Sequence, residues 1–320
     1  MSSTGSLADY ELPPIFVKPA LGACRLFNTG LDWLFYDVPT LSRALLGHGD
    51  EIVTSDPGNA PVPKDVIDLS ADTDPEGSLL VVDPTTPPYV TVWKDVTAFI
   101  ASQKAAAEPV TVATITGVGS SALGAAALAW NVATGLRRPV LAIVPGYGVA
   151  DAVLQGLGGW FGFGLYDALH TKSHLQDFLA LTQPTTAAIG RGLSASAPGH
   201  RTLNDAPVFR TGCGSSDVLH ALMEALPIDC VVGHSKGALS IFNALHALPK
   251  DRLGGVKVVT LGCPIAEDLA GAEYHQVLGR FDALGALNAW GNLPNAWVDT
   301  GHSTNSVLPL SLNAEQLVAE

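Results

Sequence analysis

The chain has 320 residues, of which 47% are hydrophobic and 15% charged, and its mean hydropathy is +0.28. Burial on that scale offsets the entropy of ordering the backbone, which excludes disorder as the main state. Lys and Arg total 17 against 30 Asp and Glu, a formal net charge of −13 at pH 7 that repels phosphate backbones and excludes nucleic acid as an expected partner.

The apolar excess does not gather into a run of about 20 residues, so no membrane span is expected. Residues 1–14 contain neither Lys nor Arg and no apolar stretch of the kind a secretory leader needs. The four cysteines, Cys24, Cys213, Cys230 and Cys263, are scattered without a CxxC pair. Neither a zinc site nor a disulfide framework is expected, and a reducing cytoplasm is the expected location.

In chain order, residues 1–108 read as an N-terminal extension with the first strands. Prolines at 57, 61, 63, 75, 84, 87 and 88 separate short apolar runs, of which 51–54 and 79–82 read as strands and 92–107 as a helix. From Pro109 the rhythm becomes β-branched run, Gly-rich turn and helix, repeated. Strands are predicted at 110–116, 139–144, 228–232, 256–261, 277–281 and 296–298. Helices are predicted at 121–134, with Gly135 as its stop, and at 236–248. Continuous apolar strands spaced by helices predict a doubly wound, mostly parallel α/β sheet covered on both faces, with its core over 109–148 and 228–320. Residues 149–227 exceed what a strand connection needs and read as a cap or lid insertion. The uncharged aromatic segment 159–166 within it is either buried cap core or a substrate surface, and Ser216 is a candidate N-cap for the helix that follows.

Gly233-His234-Ser235-Lys236-Gly237 is a G-x-S-x-G pentapeptide between a β-branched strand and an amphipathic helix. In that setting small residues permit a sharp turn, the serine Oγ is lifted above the sheet, and the helix aims N–H groups and its positive dipole end at a developing oxyanion.

On this motif the sequence resembles the α/β-hydrolase superfamily, from about Val110 to about Leu310, most nearly lipase-like and esterase-like bacterial hydrolases. The resemblance implies the order nucleophile, acid, base. Ser235 is then the nucleophile. His302, in the loop after the strand at 296–298, is the base, because His246 lies on the helix after the turn and His275 on a strand. Asp282, just past the strand at 277–281, is the acid, with Asp268 as the alternative. Asp251 reads as part of a solvated Lys-Asp-Arg turn and Asp299 as structural.

The resemblance also implies two oxyanion donors. One is the backbone N–H of Lys236, and the other is Val118 in the loop Thr116-Gly117-Val118-Gly119, with Tyr147 of Gly146-Tyr147-Gly148 as the alternative. Thr116 stands where many members carry His. Trp160, Phe161, Phe163 and Tyr147 are the candidate substrate contacts. No metal or cofactor is implied. The expected activity is carboxylic ester hydrolysis through an acyl-enzyme, on small-molecule or polymeric esters including polyesters, with thioesterase, amidase or acyltransferase chemistry open on the same machinery. Two rivals come from other classes. One is a non-catalytic small-molecule binder on the same fold. The other is a nucleotide-binding protein using the Gly-rich loop after Thr116, which lacks the acidic residue that would hold ribose about 20 residues on.

Overall fold

The computed structural model describes residues 29–46, 52–55, 62–64, 66–69, 78–93, 95–117, 119–145, 214–246, 248–267, 269–289 and 291–320. Among these, ten strands form one sheet: β1 (Ile52–Ser55), β2 (Val62–Lys64), β3 (Leu79–Val82), β4 (Val90–Trp93), β5 (Val112–Ile115), β6 (Val140–Ile143), β7 (Cys230–His234), β8 (Lys257–Leu261), β9 (Glu273–Gly279) and β10 (Ala296–Val298). They lie in the order β10-β9-β8-β7-β5-β6-β3-β4-β1-β2. From β6 through β10 every pairing is parallel, and β3 runs antiparallel to both β6 and β4. The strands before residue 108 thus continue the same sheet as those after it.

Period-two alternation sends neighbouring residues to opposite faces. Val140 and Ala142 of β6 join one core, whereas Leu141 and Ile143 join the other. The first core is filled by α1 (Val38–Leu45), α3 (Ala122–Leu136) and α7 (Ala314–Ala319), the second by α2 (Val96–Ala105), α4 (Gly214–Ala225) and α5 (Lys236–His246). A short helix α6 (Ala283–Ala289) follows β9. A sheet covered on both faces needs apolar residues at consecutive strand positions, and β5, β6 and β7 are buried at every residue. Helix α3 is likewise buried nearly all round. Its small Ala and Gly side chains let the sheet, α1 and α7 pack closely on it.

Several expectations are corrected. Residues 92–93 belong to β4 and not to a helix. Val90-Thr91-Val92 alternates buried and half-buried, and the Asp95 side chain accepts from Ala98 N–H at 2.9 Å, starting α2 only at Val96. Gly135 does not stop α3. It is the place where α7 crosses, since a Cβ there would meet the Glu315 carbonyl oxygen at 2.2 Å, and Arg137 takes the left-handed cap position at φ 56°. Ser216 lies inside α4, not at its N-cap, because that helix begins at Gly214. Strand β7 runs on through His234, right up to the turn. Helix α4, the described part of the expected insertion, packs in the core against α5.

Candidate active site

Following the chain from β5, the next strand β6 lies on one side and β7 on the other. Such a reversal opens a crevice beyond the carboxyl ends of the strands where the two connections part. The loops at Gly117 and Ser235 flank that crevice.

Ser235 sits in the turn between β7 and α5 with φ +52°, a left-handed conformation that costs a non-glycine residue about 1–2 kcal/mol. The surroundings hold it there. Ser235 N–H donates to the Leu261 carbonyl at 2.8 Å, and its own carbonyl accepts from Ala238 N–H at 3.1 Å. Both motif glycines are required by close approach. A Cβ on Gly233 would lie 2.6 Å from the Ala238 backbone, and one on Gly237 would lie 2.1 Å from the Ile115 carbonyl oxygen. The turn therefore packs directly on the end of β5.

His302 lies in the loop after β10. Its Nε2 is 2.9 Å from Ser235 Oγ, and its Nδ1 is 2.9 and 2.8 Å from the two carboxylate oxygens of Asp282. A carboxylate can only accept, so Nδ1 carries the proton and Nε2 presents its lone pair to the serine hydroxyl. The Asp282 side chain is fully buried just ahead of α6 and also accepts from Gly285 N–H at 2.6 Å. Gly262, with φ +71°, leaves room for this pair, since a Cβ there would stand 3.0 Å from Asp282 Oδ2 and 3.1 Å from His302 Nδ1. Asp299, three residues before His302, is exposed and pairs with Arg280 at 3.1 Å. Asp251 is exposed in a short 3-10 turn.

Gly117 approaches the serine from the β5 side, where a Cβ on it would lie 3.0 Å from Ser235 Cβ. Its N–H donates to Tyr36 Oη at 2.6 Å, Tyr36 Oη lies 3.0 Å from His234 Nδ1, and His234 Nε2 lies 2.8 Å from the His302 carbonyl oxygen. Burial lowers His234 to about 3 and pushes the Tyr36 hydroxyl well above its ordinary value, so both stay neutral over a broad range. Further along the loop, buried Asp32 accepts from Ser120 Oγ at 2.8 Å and from the Ser121 hydroxyl and N–H at the start of α3. Burial raises this carboxyl to about 7 against those hydrogen bonds. Asp32 and Tyr36 come from one stretch, helical over 29–35. The carbonyls of Trp33, Leu34 and Phe35, which a helix end leaves without intrahelical donors, accept from Asn305, Ser303 and Thr304.

The structure thus brings Ser235, His302 and Asp282 together and places Lys236 at the first position of α5. Val118, Tyr147, Trp160, Phe161, Phe163 and Asp268 lie outside the described residues. Among the described residues no cluster of His, Cys, Asp or Glu has the makings of a metal site, and no helix is long and apolar enough to cross a membrane. Tyr36, His234 and Asp32 escaped the sequence reading. His234 stood inside the motif and was a visible signal, but nothing local ties Tyr36 or Asp32 to partners 81 to 198 residues away. No family model, curated protein or solved structure matches the chain.

Proposed function

We propose that the chain is a serine hydrolase of the α/β-hydrolase type, cleaving carboxylic esters through an acyl-enzyme. The observation that carries this reading is the unbroken run of hydrogen bonds from Asp282 through His302 to a serine held at positive φ beside the sheet's switch point. Any one of these features is common in a structural role. Together they meet the geometric requirement of a nucleophile, a base in contact with it and a group that orients the base.

In this mechanism Ser235 Oγ attacks the ester carbonyl carbon as its proton passes to His302 Nε2. The tetrahedral oxyanion is met by the Lys236 N–H at the positive end of α5, together with the N–H of Val118. Gly117 is not a candidate for that second place, because its N–H is already given to Tyr36. His302 returns the proton to the leaving alkoxide, and the acyl group stays on Ser235. Water then repeats the sequence, activated by the same imidazole, and releases the acid. Asp282 keeps the Nδ1–H tautomer in place and stabilises the imidazolium that forms in each half. Nucleophile, proton carrier and charge stabilisation all come from the chain, so the reading calls for no cofactor.

Hydrophobic esters, polyesters included, are the proposed substrates. The support is the sequence of the insertion, where Trp160, Phe161 and Phe163 fall in the uncharged stretch 159–166. That stretch lies within the proposed cap, residues 149–227.

A fluorophosphonate probe tests the reading. It should add its mass at Ser235 in the wild-type chain and leave Ser235→Ala unmodified. An unlabelled Ser235 in a folded chain sinks the hydrolase reading and favours a binding protein. A panel of esters graded by acyl length, with thioester, amide and polyester members, then fixes the substrate class.

A further inference from the structure

With His234 neutral, the bonds linking Gly117, Tyr36, His234 and His302 fix one assignment of hydrogens. The His302 carbonyl can only accept, so His234 Nε2 must carry the imidazole proton. The neutral ring then offers its Nδ1 lone pair. Gly117 N–H can only donate, so it uses a lone pair of Tyr36 Oη and leaves the Tyr36 hydroxyl proton for His234 Nδ1. The result is a directed chain, Gly117 N–H to Tyr36 O–H to His234, and His234 N–H to the His302 carbonyl, at 2.6, 3.0 and 2.8 Å. Its two ends are a glycine in close contact with the proposed nucleophile and the backbone of the residue that carries the proposed base.

The rings are packed to match. Tyr36 meets His234 edge to face with centroids 5.2 Å apart, and His234 lies 4.9 Å from the His302 ring. Phe35, the neighbour of Tyr36, meets His302 from another side at 5.7 Å. Asp32 holds the loop's far end at Ser120 and Ser121, while the carbonyls of residues 33–35 hold Ser303, Thr304 and Asn305.

We propose that Tyr36 and His234 are positioning residues, which set the Gly117 loop and the His302 base against Ser235 by one directed hydrogen-bond chain. Neither touches the reacting atoms. Removing the Tyr36 hydroxyl frees His234 to change tautomer, and the Nδ1–H form can no longer donate to the His302 carbonyl. One deletion therefore loosens both sides of the serine. The kinetic consequence rests on the hydrolase reading, whereas the hydrogen-bond chain does not.

The test uses the full chain and Tyr36→Phe, which keeps the ring and its packing. Nitrogen-15 imidazole spectra should show His234 protonated on Nε2 alone in the wild type, and in Tyr36→Phe should show that single form lost with the His302 signals shifted. On a p-nitrophenyl ester the variant should lose about 10²-fold in kcat, the scale of a displacement of about 1 Å, with KM changed by no more than about twofold. A wild-type His234 protonated on Nδ1, or a folded Tyr36→Phe with undiminished kcat, overturns the proposal. If Tyr36→Phe does not fold, His234→Gln replaces it. That variant keeps an amide N–H near the place of Nε2 and lacks the ring nitrogen facing Tyr36, so lost kcat supports the chain and full kcat overturns it. Should Ser235 resist fluorophosphonate labelling in the wild type, the hydrolase reading falls and the spectra alone decide: a tautomer that responds to Tyr36→Phe supports the chain, and one that does not refutes it.

Discussion

Gly117 stands so close to Ser235 that a methyl group on its Cα would lie 3.0 Å from the serine Cβ and 3.4 Å from Oγ. The same methyl would lie 3.2 Å from Tyr36 Oη. Gly117→Ala must therefore displace either Ser235 or the loop beside it. A shift of a few tenths of an ångström suffices, which the fold can absorb and the chemistry cannot. The expected outcome is a chain with near-native melting temperature whose rate of fluorophosphonate labelling at Ser235 falls by about tenfold or more.

The three residues proposed to react are separable from their neighbours by substitution. His302→Ala and Asp282→Asn should each lower kcat on p-nitrophenyl esters by about 10³-fold or more. Asp299→Asn removes only a pair with Arg280 in which the carboxylate is 81% exposed, and such pairs are worth about 0–1 kcal/mol. Its kcat should match the wild type. Equal losses for Asp299 and Asp282 would show that the loop's charge, and not the contact with His302, matters.

Stability should depend on pH through two groups with opposite signs. Asp32 is raised from 3.8 to about 7, chiefly by burial. Between those values the folded chain holds a proton that the unfolded chain has released, so this group's contribution is full below 3.8 and is lost as pH rises through about 7. His234 is lowered from 6.5 to about 3, again chiefly by burial. Here the unfolded chain holds the extra proton, so the contribution is full above 6.5 and is lost as pH falls through about 3. In the overlap, from about 4 to 6.5, the two slopes cancel in the wild type. Each slope is bounded at about 1.4 kcal/mol per pH unit. Urea unfolding across this window should show Asp32→Asn gaining stability relative to the wild type as pH rises, and His234→Gln losing it.

Gly135 offers a check on packing away from the serine. Replacing a glycine inside a helix by alanine ordinarily stabilises it by about 1 kcal/mol. Here the added Cβ would meet the Glu315 carbonyl oxygen at 2.2 Å and the Val318 side chain at 2.9 Å, and overpacking of that kind costs about 1–3 kcal/mol. Gly135→Ala should lower the melting temperature, contrary to the propensity rule.

How much of this could be read from sequence follows from how local each signal is. Strands β3 and β10 fall at the predicted residues because their apolar runs are bounded by clear breakers. The approach of Ser235, Asp282 and His302 was legible because each follows a recognisable strand in a fixed order. Val92 reads as helical in sequence because its β-branched alternation is only four residues long. Gly135 reads locally as a stop because a crossing helix about 180 residues later leaves no mark on the local pattern. Tyr36 was illegible for the same reason, since its partners are Gly117 and His234, and only the folded sheet brings them together.

The bonds between the 33–35 carbonyls and the loop after His302 span 269 to 272 residues. A growing chain that has reached only β9 already contains Ser235 and its turn, but neither Asp282 nor His302, and the segment that will grip the loop after His302 has nothing to hold. Contacts of such sequence separation are late events, because the loop-closure entropy must be met before they form. On the proposed hydrolase reading, the serine would thus stay chemically quiet throughout synthesis and early folding, acquiring reactivity only when distant parts of the chain have docked. Labelling at Ser235 would then report completed assembly more faithfully than secondary structure content does.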